Sequence, residues 1–161
     1  MKKLTAIALV LALVLCLSAT VLAAEISEDS DSNQTDTEIT TSIAPTYTVT
    51  IPANTAVTFN ALSTPFGSVK LEAAQIEPGY AIRVELNASG TLKNQADSTK
   101  TIAYAVRDAS GSAFTVGTYT TAGDKTDLTI DITQQAWNAA YAGRYSDTVT
   151  FTVSYVNTDT E

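Results

Sequence analysis

The chain of 161 residues has no histidine, one cysteine and only four prolines, and its nine basic residues are outnumbered by 17 acidic ones. Without histidine it lacks the commonest general base near neutral pH and the commonest metal ligand. Serine nucleophiles therefore have no imidazole partner, and no motif points to a Ser–Lys pair in its place. Because Cys16 stands alone, no disulfide can staple the fold, and stability has to come from buried apolar surface. The formal charge of −8 repels phosphate backbones and anionic lipid, which argues against nucleic acid and against membrane surfaces.

Long apolar runs are also missing, apart from one at the N-terminus. Lys2 and Lys3 precede the run from Leu4 to Leu17, which ends in small residues at Ala23 and Ala24. That is the pattern of an export signal, with cleavage expected near Ala24. A run of about 14 residues falls short of the ~20 that span a bilayer, and no stop-transfer segment follows, so no membrane insertion is expected after signal removal. Cys16 lies inside this run behind Leu15, where lipoprotein processing needs a small residue. The mature chain is thus expected to be free of cysteine and, having lost two lysines, more acidic still. Residues 25–44 are acidic, rich in Ser and Thr and free of aromatics, and read as a leader that cannot bury enough to offset the entropy of ordering. Asp29, Asp31 and Asn33 begin like a calcium loop, but Gln34 stands where the glycine belongs and Thr40 where the bidentate Glu belongs, so a solvated leader explains them better. The sequons at Asn33 and Asn87 carry meaning only in a glycosylating pathway.

From Thr46 the texture changes to short runs of Thr, Val, Ile and Tyr with a period of two, separated by Gly, Pro, Asn and Asp. Strands are predicted over Tyr47–Ile51, Ala56–Phe59, Val69–Ile76, Ala81–Asn87, Ile102–Arg107, Ala113–Thr120, Leu128–Ile132 and Tyr145–Val156. Glu77-Pro78-Gly79-Tyr80 reads as a type II turn, and Asp108–Gly111 and Ala122–Lys125 as hairpin connections. A helical turn or two is expected near 134–140, capped by Thr133 and ended by Gly143, with Trp137 and Tyr141 on one face. The connections are too short for crossover helices. The expected fold is therefore all-β: an antiparallel two-sheet sandwich of about seven or eight strands over residues 45–157, with 158–161 as a tail. A closed barrel is the alternative.

The run Tyr145 to Tyr155 places Tyr145, Asp147, Val149, Phe151, Val153 and Tyr155 on one phase and Ser or Thr on the other. So long a strand with a dry face is expected in the middle of a sheet. Ala142-Gly143-Arg144-Tyr145 resembles the tyrosine corner of immunoglobulin-like domains, in which Tyr145 would bond back to the corner backbone. Asp147 stands where antibody domains have a cysteine, and is expected at the strand's mouth accepting backbone N–H bonds. The segment Gly-x-Tyr-x-Asp-Thr-Val-Thr-Phe-Thr-Val-Ser-Tyr is similar to the end of spore-coat-U-like and pilin-type modules. That resemblance implies an immunoglobulin-like sandwich lacking a final strand, filled by the N-terminal segment of a neighbouring subunit. Residues 25–38 offer only Ile26 among acids and serines as an insert, and Ile39 and Ile43 are separated by polar residues. The favoured expectation is instead that Tyr47–Ile51 pairs beside the last strand and closes the sandwich within one molecule.

Chemistry is sparse. Asp108, Asp124, Asp127 and Asp131 could supply a hydrolytic carboxylate pair, but turn positions and solvent-facing strand positions account for them better. Trp137, Tyr141 and Tyr119 could form a sugar-stacking platform, or Trp137 could simply plug one end of the core. The sequence thus leads to an exported, non-catalytic surface or extracellular module without cofactor or metal, structural or adhesive in role. Its partners would be other extracellular proteins or itself, with a secreted carbohydrate-binding module as the alternative. The tail after Asn157 has neither an apolar stretch nor a basic cluster, so release or noncovalent association outside the membrane is expected.

Overall fold

The computed structural model describes residues 36–160; the expected export signal, Cys16, the calcium-like stretch and the Asn33 sequon lie outside the described residues. The chain divides into two units, Met1–Ser42 and Ile43–Glu161. In the first, residues 36–42 form neither helix nor strand and are exposed.

The second unit is an all-β, antiparallel sandwich. Its strands are β1 (Thr46–Thr50), β2 (Ser63–Gln75), β3 (Tyr80–Asn87), β4 (Thr91–Asn94), β5 (Thr101–Ala103), β6 (Ala105–Asp108), β7 (Val116–Tyr119), β8 (Lys125–Asp131), β9 (Tyr145–Ser146) and β10 (Thr150–Asn157). One short helix, α1 (Gln134–Ala139), precedes β9. Two sheets in the order β1-β2-β8-β6 and β10-β3-β7 form the sandwich, and a third, β5-β4-β9, extends it at one end.

Alternation of side chains explains the main layer. Val69 and Leu71 of β2, Ile82 and Val84 of β3 and Leu128 of β8 all turn inward into one cluster, closed by Phe66, Val106, Phe114 and Tyr119. Residues from both large sheets share this cluster, so neither could bury its dry face alone. A second cluster of Ile102, Ile132 and Trp137 lies under the small sheet.

The third sheet arises because the chain changes partners at three places, two of them inside runs that read as continuous in the sequence, while its β4 (Thr91–Asn94) is not among the predicted strands. The β3–β4 path leaves the β10-β3-β7 sheet at Ser89, the β5–β6 path enters the β1-β2-β8-β6 sheet past Tyr104, and the β9–β10 path returns past Asp147. Bends of this kind are how strands turn the corner of a sandwich. The predicted strands Ile102–Arg107 and Tyr145–Val156 are each broken in this way, and the expectation of two sheets becomes three.

Other boundaries also differ. The stretch Ala56–Phe59 is not a strand: residues 51–57 run as a loop beside the sandwich, and Asn60 closes that loop with φ at 67°. Of Ala113–Thr120 only Val116–Tyr119 pairs as a strand, with Ala113 making an isolated bridge to Arg107. The Glu77–Tyr80 turn has Gly79 at φ 80° and Tyr80 N–H donating to Glu77 O at 3.2 Å, the dihedral a type II turn requires. In α1 the Thr133 hydroxyl accepts from Ala136 N–H at 3.1 Å. The helix ends not at Gly143 but at Ala140, whose N–H bonds to Trp137 O. The tail is tied down as well, since Thr158 donates from both its N–H and its hydroxyl to Gly79 O.

Candidate functional site

The last strand is where the molecule is unfinished. β10 pairs with β3 over its full length, Thr150 opposite Asn87 to Asn157 opposite Tyr80, but it ends the sheet order, and among the described residues no strand pairs with its other edge. The expectation of a central strand is therefore corrected, and so is that of cis closure. β1 pairs instead with the Lys70–Gln75 half of β2, which is long enough to carry β8 on its other half. β1 and β10 end opposing sheets and meet across the sandwich only through side chains. Tyr47 lies 6.4 Å from Tyr155 between ring centroids, and Tyr155 stacks on Tyr80 at 4.7 Å.

Moving from that aromatic stack toward the start of β10, a groove of about 630 Å³ opens. Ile51 and Pro52 line one side, Val149 and Phe151 the other, and the core residues Phe66 and Val106 the depth. Val149, Phe151 and Val153 pack on the main core yet are only half-buried, and the first two line the groove. The edge itself is unguarded. Sheet edges are usually blunted by charge, proline or a bulge, whereas β10 contains no charged residue and no proline and pairs in unbroken register.

One polar cluster holds the head of this strand. Asp147 Oδ2 accepts from the Tyr104 hydroxyl at 2.6 Å and from the Ser89 hydroxyl at 2.7 Å. Each of the three residues lies where a chain path passes between sheets, so the cluster pins three corners to one another. Burial alone would raise the Asp147 carboxyl. The bonds from Tyr104 and Ser89, the Thr148 N–H and the charge of Lys93 outweigh it, leaving the group below its ordinary 3.8. Tyr104 is pushed upward, first by burial and then by the adjacent carboxylate, so its phenol remains a donor. The expected arrangement, Asp147 held by backbone N–H groups, is thus corrected: two side-chain hydroxyls carry most of that task. Since the folded value lies below the unfolded one, ionised Asp147 stabilises the fold above about pH 4, and this contribution is lost as pH falls through the folded value. Asp147→Asn should accordingly lower the urea midpoint at pH 7 and lower it progressively less toward pH 3. A deficit constant across that range would contradict the assignment.

The remaining sequence candidates separate. Tyr145 donates to Tyr141 O at 2.9 Å, a corner bond four residues back along the chain. Gly143, at φ 146°, lies against the amide of buried Asn94, which itself accepts from Ala96 and Asp97 N–H and donates to Ala142 O. Tyr119 belongs to the main core, donating to Thr126 at 2.9 Å, and Trp137 to the second cluster, donating from Nε1 to Ala61 O at 2.9 Å. Both rings are buried, so the three-ring platform of Trp137, Tyr141 and Tyr119 does not form, and only Tyr141 is exposed. Asp108 and Asp124 are turn residues, each accepting local backbone N–H bonds, while Asp127 pairs with Lys125 and Asp131 with Arg107. Among the described residues no group of three potential ligands could hold a metal ion, and no helix is long and apolar enough to cross a membrane.

No family model and no curated protein matches this chain. Its site must be read from its own geometry: an uncharged open edge, an apolar groove beside it, and a hydrogen-bonded clamp at its head. Sequence reasoning found the residues of β10 but not the groove, which needs the loop 51–57 brought opposite Val149.

Proposed function

We propose that this protein is an exported, non-catalytic structural module of the cell exterior that assembles by accepting a strand on β10. The observation that carries the reading is the apolar row Val149, Phe151 and Val153, half-covered beside an unpaired, uncharged edge. An added strand would pair along the open edge of β10 and lay alternate side chains into the groove, the general mode of β-augmentation. The donor favoured by the chain itself is residues 36–45 of a second copy. That stretch is exposed and makes no helix or strand, and Ile39 and Ile43 are exposed at 95% and 65%. A segment that orders only on binding bears its entropic cost at that step, so affinity should be moderate and assembly dependent on concentration.

Sedimentation of residues 25–161 beside residues 45–161 tests the reading. The longer chain should form concentration-dependent oligomers and the shorter one should remain monomeric. Thr152→Lys, an exposed change that places a charge on β10, should shift the longer chain toward monomer without lowering its melting temperature appreciably. Equal assembly of both lengths would remove residues 36–45 as donor.

A further inference from the structure

A second groove, of about 760 Å³, adjoins the first and shares Val57, Leu92 and Asp147 with it. Two large aromatic side chains line it while remaining exposed, Phe59 at 75% and Tyr141 at 63%. Neither is loosely held. Phe59 meets Trp137 edge-on at 5.6 Å, and that indole is fixed by its bond to Ala61 O. Tyr141 has its carbonyl held by the Tyr145 hydroxyl, and the Lys100 ammonium lies 4.6 Å from its ring centroid. The groove is apolar in its depth, at Leu92 and Ile102, and polar at one end, at Ser146 and Asp147. Asp147 is ionised and oriented by Tyr104 and Ser89, so it is an acceptor already set in place.

Exposed aromatic rings over an apolar floor, with a few convergent polar groups, make a small-molecule site rather than a packing defect. The ligand has to offer a flat apolar face to the rings and hydroxyl donors to a carboxylate. It has to be uncharged or cationic, because an anion would meet Asp147 on a chain of net charge −8. We propose that this groove binds a neutral saccharide, with a pyranose ring against Phe59 and Tyr141 and its hydroxyls donating to Asp147. The site adjoins the strand-accepting groove and shares part of its wall, but Phe59 and Tyr141 line this groove only.

Titration calorimetry of the full mature chain with soluble neutral oligosaccharides, glucan-, galactan-, mannan- and chitin-derived, beside uronic-acid oligomers tests this. At least one neutral series should bind. Tyr141→Ala and Phe59→Ala should each weaken it by about tenfold or more, with melting temperatures near that of the parent because both side chains are exposed. Thr152→Lys should leave the affinity unchanged, which separates this site from the edge. Binding of none of the neutral series, binding only of the uronic acids, or binding that survives both aromatic substitutions would overturn the proposal.

Discussion

Gly143→Ala should destabilise the sandwich by on the order of 3–5 kcal/mol, a large share of the roughly 5–15 kcal/mol that holds a small domain together. Two effects combine. At φ 146° a residue with a Cβ is strained, and the added methyl would be driven into the amide of Asn94. That amide cannot retreat freely, because its Oδ1 accepts Ala96 N–H at 2.9 Å and its Nδ2 donates to Ala142 O, and Asn94 is 95% buried. Moving it leaves buried polar groups unsatisfied at the junction of β4 and β9. The corresponding change at Gly111, whose missing Cβ would meet nothing, should cost only its own backbone strain. Urea unfolding of the two variants side by side measures the difference.

Ile82→Ala should cost about 4 kcal/mol, while Phe151→Ala, although it removes a larger side chain, should cost the isolated monomer no more than about 2 kcal/mol. Ile82 is fully enclosed between the sheets, so its loss leaves a cavity as well as forfeiting transfer energy. Phe151 already faces the groove and contacts the core on one side, with Phe66 at 6.1 Å between centroids. If β10 accepts a strand, the order should reverse in the assembled form, where Phe151 becomes a wall of the filled groove. Comparing the unfolding free energy of monomer and the midpoint of assembly for both variants reads out that reversal.

The strands were legible in the sequence where apolar and polar residues alternate cleanly, and less so in β2, whose predicted Val69–Ile76 misses the half from Ser63 to Ser68. Ile82, Val84 and Leu86 alternate with Arg83 and Glu85 and stand as β3; Leu128 and Ile130 alternate with Asp127 and Thr129 in β8. Periodicity failed at the corners, because a bend alters which strand is the neighbour without altering which face is dry. Tyr104 and Asp147 keep the alternation intact while the ladder passes to another sheet. Their bond joins residues 43 apart, and the Ser89 bond residues 58 apart, separations at which no local pattern speaks. The corner tyrosine was visible from Gly143 and Tyr145 because it closes within four residues. Phe59 was passed over because it was placed at the end of the predicted strand Ala56–Phe59, and the turn there instead leaves it in solvent. For Trp137 burial agrees with the reading of a plug at one end of the core, whereas Tyr119 was read only as a platform residue and is buried in the main core.

The position of β1 shows why the edge itself could not be anticipated. Its alternation does not say which strand it pairs with, and in the structure it takes the edge of β2 opposite β8, along Lys70–Gln75. Once β1 is used there, no strand among the described residues pairs with the outer edge of the last strand, whose other edge is held by β3.

Hydrogen exchange of the backbone amides of Thr150–Asn157 in residues 25–161, followed over a range of protein concentration, tests this account most directly. Amides directed away from β3 should exchange rapidly in the dilute protein and become protected as concentration rises, together with those of residues 36–45. Protection of those β10 amides that is already complete in the dilute monomer, or that never develops at any concentration, would contradict the claim that the final strand is an acceptor edge.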